Sequence, residues 1–492
     1  MGRTKDLIAY NNTRNGQHEN LQVIKSKLEQ NSLVEFRLGF EEGEFRSKRD
    51  IQTLIQVIKE RFYHQLSLHK YSCLKSISIG WRLPKFALGP VLQVVIPALL
   101  HEPVRITHLQ LILNDNPPVP EGCLKRIVSW HSLESVDLRS ITLRVLSTTT
   151  SRTHSVPPKK QPSTRRNPLL KNQRNSNNNN MKSTKMECEG SRIWEQVNII
   201  KIIPYISSGI KSLKLMNCGI NKDHIPKLCD HIRRRMHGLK KLSLRQNFTL
   251  DGGYHYLFAL AGIKSLDLSL CDLDQNDGCC IVRAMEECEN DNLEQLSLTG
   301  NYRLSASVPD IVRAGALKLS HMDCSFCGVN RKSHQKIFDI LAEEPTHSLM
   351  MSSSFHDEKK CTLQSFRMQG IFLHDVEGLV KCIRGNYSLR SLVVDHPHET
   401  RSISLESMQK IITALQSNYS LQVLKFDIIP SQCLGMMRKF DFWLRLNRCG
   451  RRSLLQTNEG INSWTNILTL AAKSNDHNVV FWLLKHGSVT FT

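Results

Sequence analysis

The strongest constraint on the fold is an eleven-residue pattern that recurs along most of this 492-residue chain. Between Ile210 and Ile220, apolar residues stand at the first, fourth, sixth and eleventh positions, and Cys218 stands at the ninth. Four further copies, each with Asn or Cys at the ninth position, begin at Leu239, Ile263, Leu293 and Leu319. Degenerate copies begin at Leu74, Ile106, Leu133, Leu363, Leu389 and Leu421. Eleven copies of one pattern predict one structural unit stacked many times on itself.

The spacing between copies leaves room for two elements in each unit. Copies without a long insertion are separated by about 28 residues on average, which is more than one strand and its turns require. Residues 376–383 and 408–415 carry apolar side chains at helical spacing. A strand-helix unit exposes an apolar face that only neighbouring units can cover. We therefore predict an α/β solenoid with a parallel sheet on one side and helices on the other.

The residues at the ninth position of the pattern are predicted to be structural. Asn and Cys side chains can form hydrogen bonds with backbone groups where a chain turns away from a strand. The residues concerned are Cys218, Asn247, Cys271, Asn301 and Cys327.

The repeats resemble the leucine-rich repeats of the ribonuclease-inhibitor-like subfamily, and the resemblance covers roughly Leu74 to Ile429. The segment Phe440–Arg451 resembles the closing block of leucine-rich repeat proteins common in diatoms. The resemblance implies a horseshoe with a parallel sheet on its concave side and helices outside. It implies a fold and not a particular function.

The chain is predicted to have three parts. Residues 1–73 form an N-terminal cap or degenerate first repeat, since Val34–Phe40 alternates and the following residues have helical spacing. Residues 74–429 form the solenoid, and residues 430–492 form a helical C-terminal cap.

Two insertions interrupt the predicted solenoid. Residues 147–187 are rich in Ser, Thr, Asn and Pro and are predicted to be disordered, whereas residues 345–360 are predicted to be a surface loop. After the first insertion, a helical pattern is predicted to resume at Trp194, Val197, Ile200 and Ile203.

The first insertion is strongly basic. The chain contains 66 Lys and Arg against 45 Asp and Glu, a net charge of +21, and nine of its positive charges lie between Ser147 and Lys185 without one acidic residue. They include Lys159, Lys160, Arg165, Arg166, Lys171 and Arg174. Three interpretations stay open: a solvated spacer, a nuclear import signal, or an arm that binds nucleic acid or another polyanion.

The motifs of common enzymes and metal sites are missing from the sequence. It lacks the phosphate-binding loop, the serine nucleophile elbow and the helical zinc-protease motif. Cys324 and Cys327 form a C-x-x-C without the second pair that a structural zinc site needs, so we interpret them as repeat positions. We predict no enzymatic activity, no cofactor and no metal. With no visible secretion signal or membrane-spanning segment, the predicted location is the cytoplasm or the nucleus.

The predicted working surface is the concave face of the sheet, which presents the residues that flank the strand leucines. Its candidate contact residues are Lys214, Arg245, Asp267, Asp323, Phe326, Arg367, Asp395 and Asp427. Their mixed signs differ from the continuous basic stripe that a phosphate backbone favours. We therefore predict a non-catalytic scaffold that binds a protein on this face, with nucleic-acid binding through residues 147–187 as the alternative. The partner's identity and the oligomeric state stay open.

Overall fold

In the computed structural model, twelve parallel strands form one open sheet, and each strand pairs with the next one of that sheet along the chain. Three other strands form a small second sheet. The strands of the main sheet are β1 (Glu35–Leu38), β2 (Ser76–Ile79), β3 (His108–Ile112), β5 (Ser135–Arg139), β8 (Ser212–Met216), β9 (Lys241–Ser243), β10 (Ser265–Asp267), β11 (Gln295–Ser297), β12 (His321–Asp323), β13 (Ser365–Gln369), β14 (Ser391–Asp395) and β15 (Val423–Lys425). Each of the eleven predicted copies supplies one strand, and β1 adds another. The register places equivalent leucines side by side, so that Leu266 lies opposite both Leu242 and Leu296.

The structure describes residues 35–38, 48–49, 51–56, 75–80, 85–96, 106–113, 119–139, 143–146, 194–197, 199–247, 253–288, 292–343, 362–369, 376–395, 404–425, 434–451, 460–473, 477 and 479–481. The insertions at 147–187 and 345–360 lie outside these residues, and the predicted domain boundaries stay predictions.

Helices connect most of the strands. They are α1 (Lys85–Pro90), α2 (Glu121–Val128), α3 (Ile225–Arg235), α4 (Tyr254–Phe258), α5 (Gln275–Glu287), α6 (Val308–Ala316), α7 (Arg331–Ala342), α8 (Val376–Gly385), α9 (Leu405–Ser417), α10 (Leu434–Arg448) and α11 (Gly460–Lys473). A π-helix (Val91–Val95) continues α1. Among the described residues, none of these helices combines the length and the apolar character needed to cross a bilayer.

One continuous core joins strands and helices. The strand leucines and the apolar faces of the helices belong to the same buried cluster, which runs from Ile51 to Leu444. This arrangement stabilises each unit only through its neighbours, because a single strand and helix could not bury so much apolar surface. The predicted α/β fold is confirmed, and the chain folds as a leucine-rich repeat solenoid.

The ninth-position residues form a hydrogen-bonded ladder, as predicted. Asn301 is 1% exposed; its Oδ1 accepts hydrogen bonds from the backbone N–H groups of Cys271 (2.8 Å) and Leu273 (3.2 Å). Its Nδ2 donates to the carbonyl oxygens of Leu268 (3.0 Å) and Leu298 (2.6 Å). Asn247 makes the same four contacts one unit earlier, and the thiols of Cys218, Cys271 and Cys327 each donate to a carbonyl oxygen of the preceding unit.

A second asparagine ladder attaches the C-terminal helices. Asn418 Nδ2 donates to the carbonyl oxygens of Ile383 (2.7 Å) and Asn386 (2.8 Å). Asn447, within α10, donates in turn to the carbonyl oxygens of Asn418 (2.9 Å) and Leu421 (2.8 Å). The tail therefore continues the spacing of the last units, and α11 packs behind it in a second buried cluster.

The prediction of a helix beginning at Trp194 is wrong. Trp194–Val197 is strand β7, which pairs antiparallel with β6 (Leu143–Leu146), and β6 pairs in parallel with β4 (Val119–Pro120). Two short 3-10 segments follow instead of a helix, at Ile199–Lys201 and Ile203–Tyr205. The apolar spacing of so short a segment fits either structure, and pairing with β6 satisfies its backbone.

Candidate interaction face

The concave face, defined here as the sheet surface turned away from the helices, carries two rows of side chains in register. The first row runs across neighbouring strands and contains Gln110, Asp137, Lys214, Ser243, Asp267, Ser297, Asp323, Arg367, Val393 and Lys425. The second row lies two residues further along the chain in each unit and contains Arg139, Met216, Arg245, Ser269, Thr299, Ser325 and Gln369. Neighbouring members of a row are about 4.8 Å apart, the spacing between strands.

Asp267 lies at the middle of the first row and is held by hydroxyl groups. Its Oδ2 accepts a hydrogen bond from Ser243 Oγ (2.8 Å). Its Oδ1 accepts from both the backbone N–H (3.0 Å) and the Oγ (2.5 Å) of Ser269. Ser269 Oγ also lies 2.8 Å from Ser297 Oγ, which lies 3.3 Å from Thr299 Oγ1. The carboxylate is therefore oriented before any partner arrives, in a part of the face where most side chains are short.

Asp323 repeats this local arrangement two strands away. The backbone N–H of Ser325 donates to its Oδ1 (3.0 Å), just as Ser269 donates to Asp267. Arg367 Nη1 lies 3.9 Å from Asp323 Oδ2, with 48% of the arginine side chain and 28% of the aspartate side chain exposed. At that distance and exposure the ion pair is weak, so both groups stay available to a partner. Asp267 and Asp323 form what we call the acidic centre, with their backbones roughly 10 Å apart.

A more strongly paired carboxylate lies toward the N-terminal end of the first row. Asp137 is 5% exposed and accepts two hydrogen bonds from Arg139, Nε at 2.9 Å and Nη2 at 2.8 Å, and a third from Gln110 Nε2 at 3.2 Å. Lys214 Nζ lies 3.6 Å from the same carboxylate. Burial alone would raise the pKa of Asp137, but the contacts with Arg139, Lys214 and Gln110 hold it below its ordinary value.

Sequence reasoning missed Asp137 and Arg139. They occupy the outward positions of the degenerate copy that begins at Leu133. Taking the residues that flank the strand leucines in the degenerate copies as well would have identified them. Lys214, a predicted contact residue, is already engaged by Asp137, although 47% of its side chain is exposed.

An apolar rim borders the acidic centre where the strands end. Phe326 is 42% exposed and has a left-handed backbone (φ 55°), and Leu270 has the same conformation (φ 56°) at the equivalent position of its unit. Gly300 lies between them (φ 79°), and a Cβ there would come within 2.3 Å of Leu270 Cδ2. Leu270 therefore lies over Gly300, and with Phe326 it forms the rim.

The structure places the other predicted contact residues as follows. Arg245 is half-buried in the second row, and its Nε makes no hydrogen bond within the described part of the chain. The backbone of Asp395 ends β14, opposite Gln369. Asp427 and the six basic residues of the insertion lie outside the described residues.

Burial keeps the thiols of Cys271, Cys324 and Cys327 protonated. Burial raises the pKa of Cys271 and Cys327 to about 12 and that of Cys324 well above its ordinary value. A neutral thiol is a poor nucleophile and a poor metal ligand. Among the described residues no group of three or more His, Cys, Asp or Glu side chains could hold a metal ion.

Comparison with known proteins identifies no family. No family model and no curated protein matches the chain. One similar solved structure is the leucine-rich repeat-containing protein LegL7 from Legionella pneumophila, at 13% identity and a TM-score of 0.40, covering 83% of this chain and 98% of that one. Another is the tropomodulin C-terminal domain from Caenorhabditis elegans, at 11% identity and a TM-score of 0.28, covering 37% of this chain and 97% of that one. The fold assignment rests on the strand register and the ladder of this chain itself.

Proposed function

We propose that this chain is a non-catalytic scaffold that binds a segment of a partner protein across its concave face. The observation that carries the proposal is the acidic centre, where Asp267 is oriented by three hydrogen bonds and Asp323 by one. Fixed carboxylates lose little freedom when a cation binds to them, so more of the interaction energy contributes to affinity. A basic side chain of the partner meets this centre.

The charges around the centre restrict the partner further. Arg245 and Arg367 lie on either side of the two aspartates along the rows, and Lys425 lies beyond Arg367. A complementary segment carries a basic residue between acidic ones. An apolar residue of the same segment packs against the rim formed by Leu270 and Phe326, where it excludes water from the charged contacts.

The repeat class and the cellular location belong to the same proposal. Units of about 28 residues with a helix opposite most of the strands support the ribonuclease-inhibitor-like class of leucine-rich repeats, and we include a closing block of the diatom type in the proposal. We propose the cytoplasm or the nucleus as the place where the protein meets its partner.

Charge reversal in the acidic centre tests the proposal. We expect the double variant Asp267→Lys, Asp323→Lys to lose capture of a partner from matched cell extract, with the captured protein identified by mass spectrometry. Purified partner should then bind the variant at least about tenfold more weakly, because attractive contacts become repulsive. The matched control is Glu286→Lys, Asp310→Lys, which makes the same charge change on exposed positions of the helical side.

Unchanged capture by the acidic-centre variant, with its far-ultraviolet circular dichroism intact, would exclude the concave face as the binding site. If the helical-side control also loses capture, binding depends on the net charge of the protein and not on the acidic centre.

The alternative is that the protein associates with nucleic acid through residues 147–187. The density of positive charge in that segment supports it, since counterion release favours the binding of a polyanion to clustered Lys and Arg. Capture with the intact chain and with residues 147–187 deleted, with and without nuclease, at about 0.15 and 0.5 M salt distinguishes the two functions. A protein partner that survives nuclease, salt and deletion supports the scaffold; nucleic acid that is lost with the deletion supports the alternative.

A further inference from the structure

A second charged surface lies at the edge of the sheet where the strands begin, away from the acidic centre. Helix α3 ends in three consecutive arginines, Arg233 to Arg235, all exposed. Two buried residues flank them, Ile232 within the helix and Met236 directly after it. Because these two apolar residues are four positions apart, they anchor the last turn and direct the arginines outward.

The chain returns from α3 to the sheet by a tight turn that adds two lysines. Leu239 N–H donates to Met236 O (3.0 Å), and the exposed Lys240 and Lys241 follow at the start of β9. We call Arg233, Arg234, Arg235, Lys240 and Lys241 the basic edge.

Backbone hydrogen bonds extend this surface across three units. Lys240 N–H donates to Lys211 O (2.8 Å), and Lys264 N–H donates to Lys240 O (2.8 Å), so three lysines occupy equivalent positions on neighbouring strands. The two outer lysines are paired, Lys211 with Glu134 at 3.0 Å and Lys264 with Glu294.

The cations of the basic edge itself are largely uncompensated. Arg234 pairs with Asp230 on its own helix (2.9 Å), and Arg233 donates a long hydrogen bond to Tyr256 O (3.5 Å). Arg235, Lys240 and Lys241 form no ion pair with any residue that the structure describes.

A small cleft opens beside these cations, between α3 and the unit that follows. Its volume is about 190 Å³, its floor is formed by Ile232, Met236 and Leu260, and Arg233 and His237 also line it. The cleft has room for one aliphatic side chain, and the basic edge stands at its side.

We propose that the basic edge and this cleft together bind a short acidic peptide segment of a protein partner, with one apolar side chain placed in the cleft. The extent of the positive charge favours a peptide over nucleic acid. The row formed by Lys211, Lys240 and Lys264 spans roughly 10 Å, a length that three or four extended residues cover. Glu134 and Glu294 lie at its two ends. A phosphate backbone that continued past the row would meet those carboxylates, whereas a short acidic segment would not. This surface is independent of the acidic centre.

Binding of a labelled peptide to the full chain tests the proposal. The probe is fluorescein-Glu-Glu-Leu-Glu-Glu, compared by fluorescence anisotropy with the same peptide carrying Ala for Leu and with an oligodeoxythymidine of equal charge. We expect Arg235→Glu, Lys240→Glu to weaken binding of the probe by roughly tenfold or more, because two attractive contacts become repulsive. The control Arg331→Glu, Lys332→Glu changes the charge equally on exposed positions of α7 and should bind like the wild type.

The proposal would be overturned by no binding of the probe, by unchanged binding in Arg235→Glu, Lys240→Glu or an equal loss in the control variant, by equal affinity for the Leu and Ala peptides, or by tighter binding of the oligonucleotide. Loss of binding on deletion of residues 147–187 alone would assign the peptide to the insertion. Because Asp267→Lys, Asp323→Lys leaves the basic edge untouched, that variant should bind the probe at least as well as the wild type, and the two proposals can fail separately.

Discussion

The most direct test of how this solenoid is held together is removal of one asparagine of the ladder. Asn301→Ala deletes a side chain that is 1% exposed and bonds two N–H groups and two carbonyl oxygens of neighbouring turns. Each lost hydrogen bond costs about 1 kcal/mol net, and the N–H and C=O groups left behind are buried away from bulk solvent. We expect the free energy of unfolding to fall by about 3–5 kcal/mol.

The shape of the unfolding curve carries further information. Asn301 joins the units of β10 and β11, near the middle of the sheet, and the stability of a repeat protein depends on such interfaces between neighbours. We expect the wild type to unfold in urea in a single transition, followed by circular dichroism, and Asn301→Ala to unfold in two, one for each side of the weakened junction.

The matched control is Asn276→Ala, an exposed asparagine in the first turn of α5. It should change the free energy of unfolding by less than about 0.5 kcal/mol. A cost below about 1 kcal/mol for Asn301→Ala, or equal effects of the two substitutions, would refute the claim that the ladder stabilises the fold through these hydrogen bonds.

Three further substitutions test other features. Because the folded pKa of Asp137 lies below its ordinary value, its stabilising effect is complete above that value and is lost as the pH falls through the folded pKa. Urea unfolding should therefore show Asp137→Asn less stable than the wild type at pH 7, with the difference shrinking below about pH 4. Gly328→Ala should destabilise more than Gly300→Ala in thermal melts: both glycines have positive φ, but a Cβ at Gly328 would lie 2.3 Å from the rigid carbonyl oxygen of Tyr302. Equal losses would contradict the steric argument. Phe326→Gly relieves a left-handed backbone conformation that costs about 1 kcal/mol, so stability should stay within about 1 kcal/mol of the wild type while partner capture falls. Undiminished capture would remove Phe326 from the binding surface.

The fold was largely predictable because its information is local and repeated. The same spacing of apolar residues recurs in all eleven copies, and this repetition leaves little ambiguity about the structure of the unit. The ladder was predictable for the same reason. Asn or Cys stands at the same position of each regular copy, so in the stacked units it lies beside the same backbone groups each time. Where the repeat is interrupted, prediction failed: Trp194–Val197 became a strand because β6 was available to pair with it, and β6 is not part of the pattern.

The amino-acid sequence by itself determined the solenoid, the strand residues that face outward and the excess of positive charge. Only the tertiary structure decided which of those charges are available, because that depends on contacts between units. Lys214 is engaged by Asp137 on the neighbouring strand. The turn after α3 instead brings Lys240 beside Lys211 and Lys264, where no acidic residue of the described ranges pairs with it. A repeat fixes positions along one unit, but ion pairs and clefts form between side chains that differ from unit to unit, and only the assembled sheet brings them together.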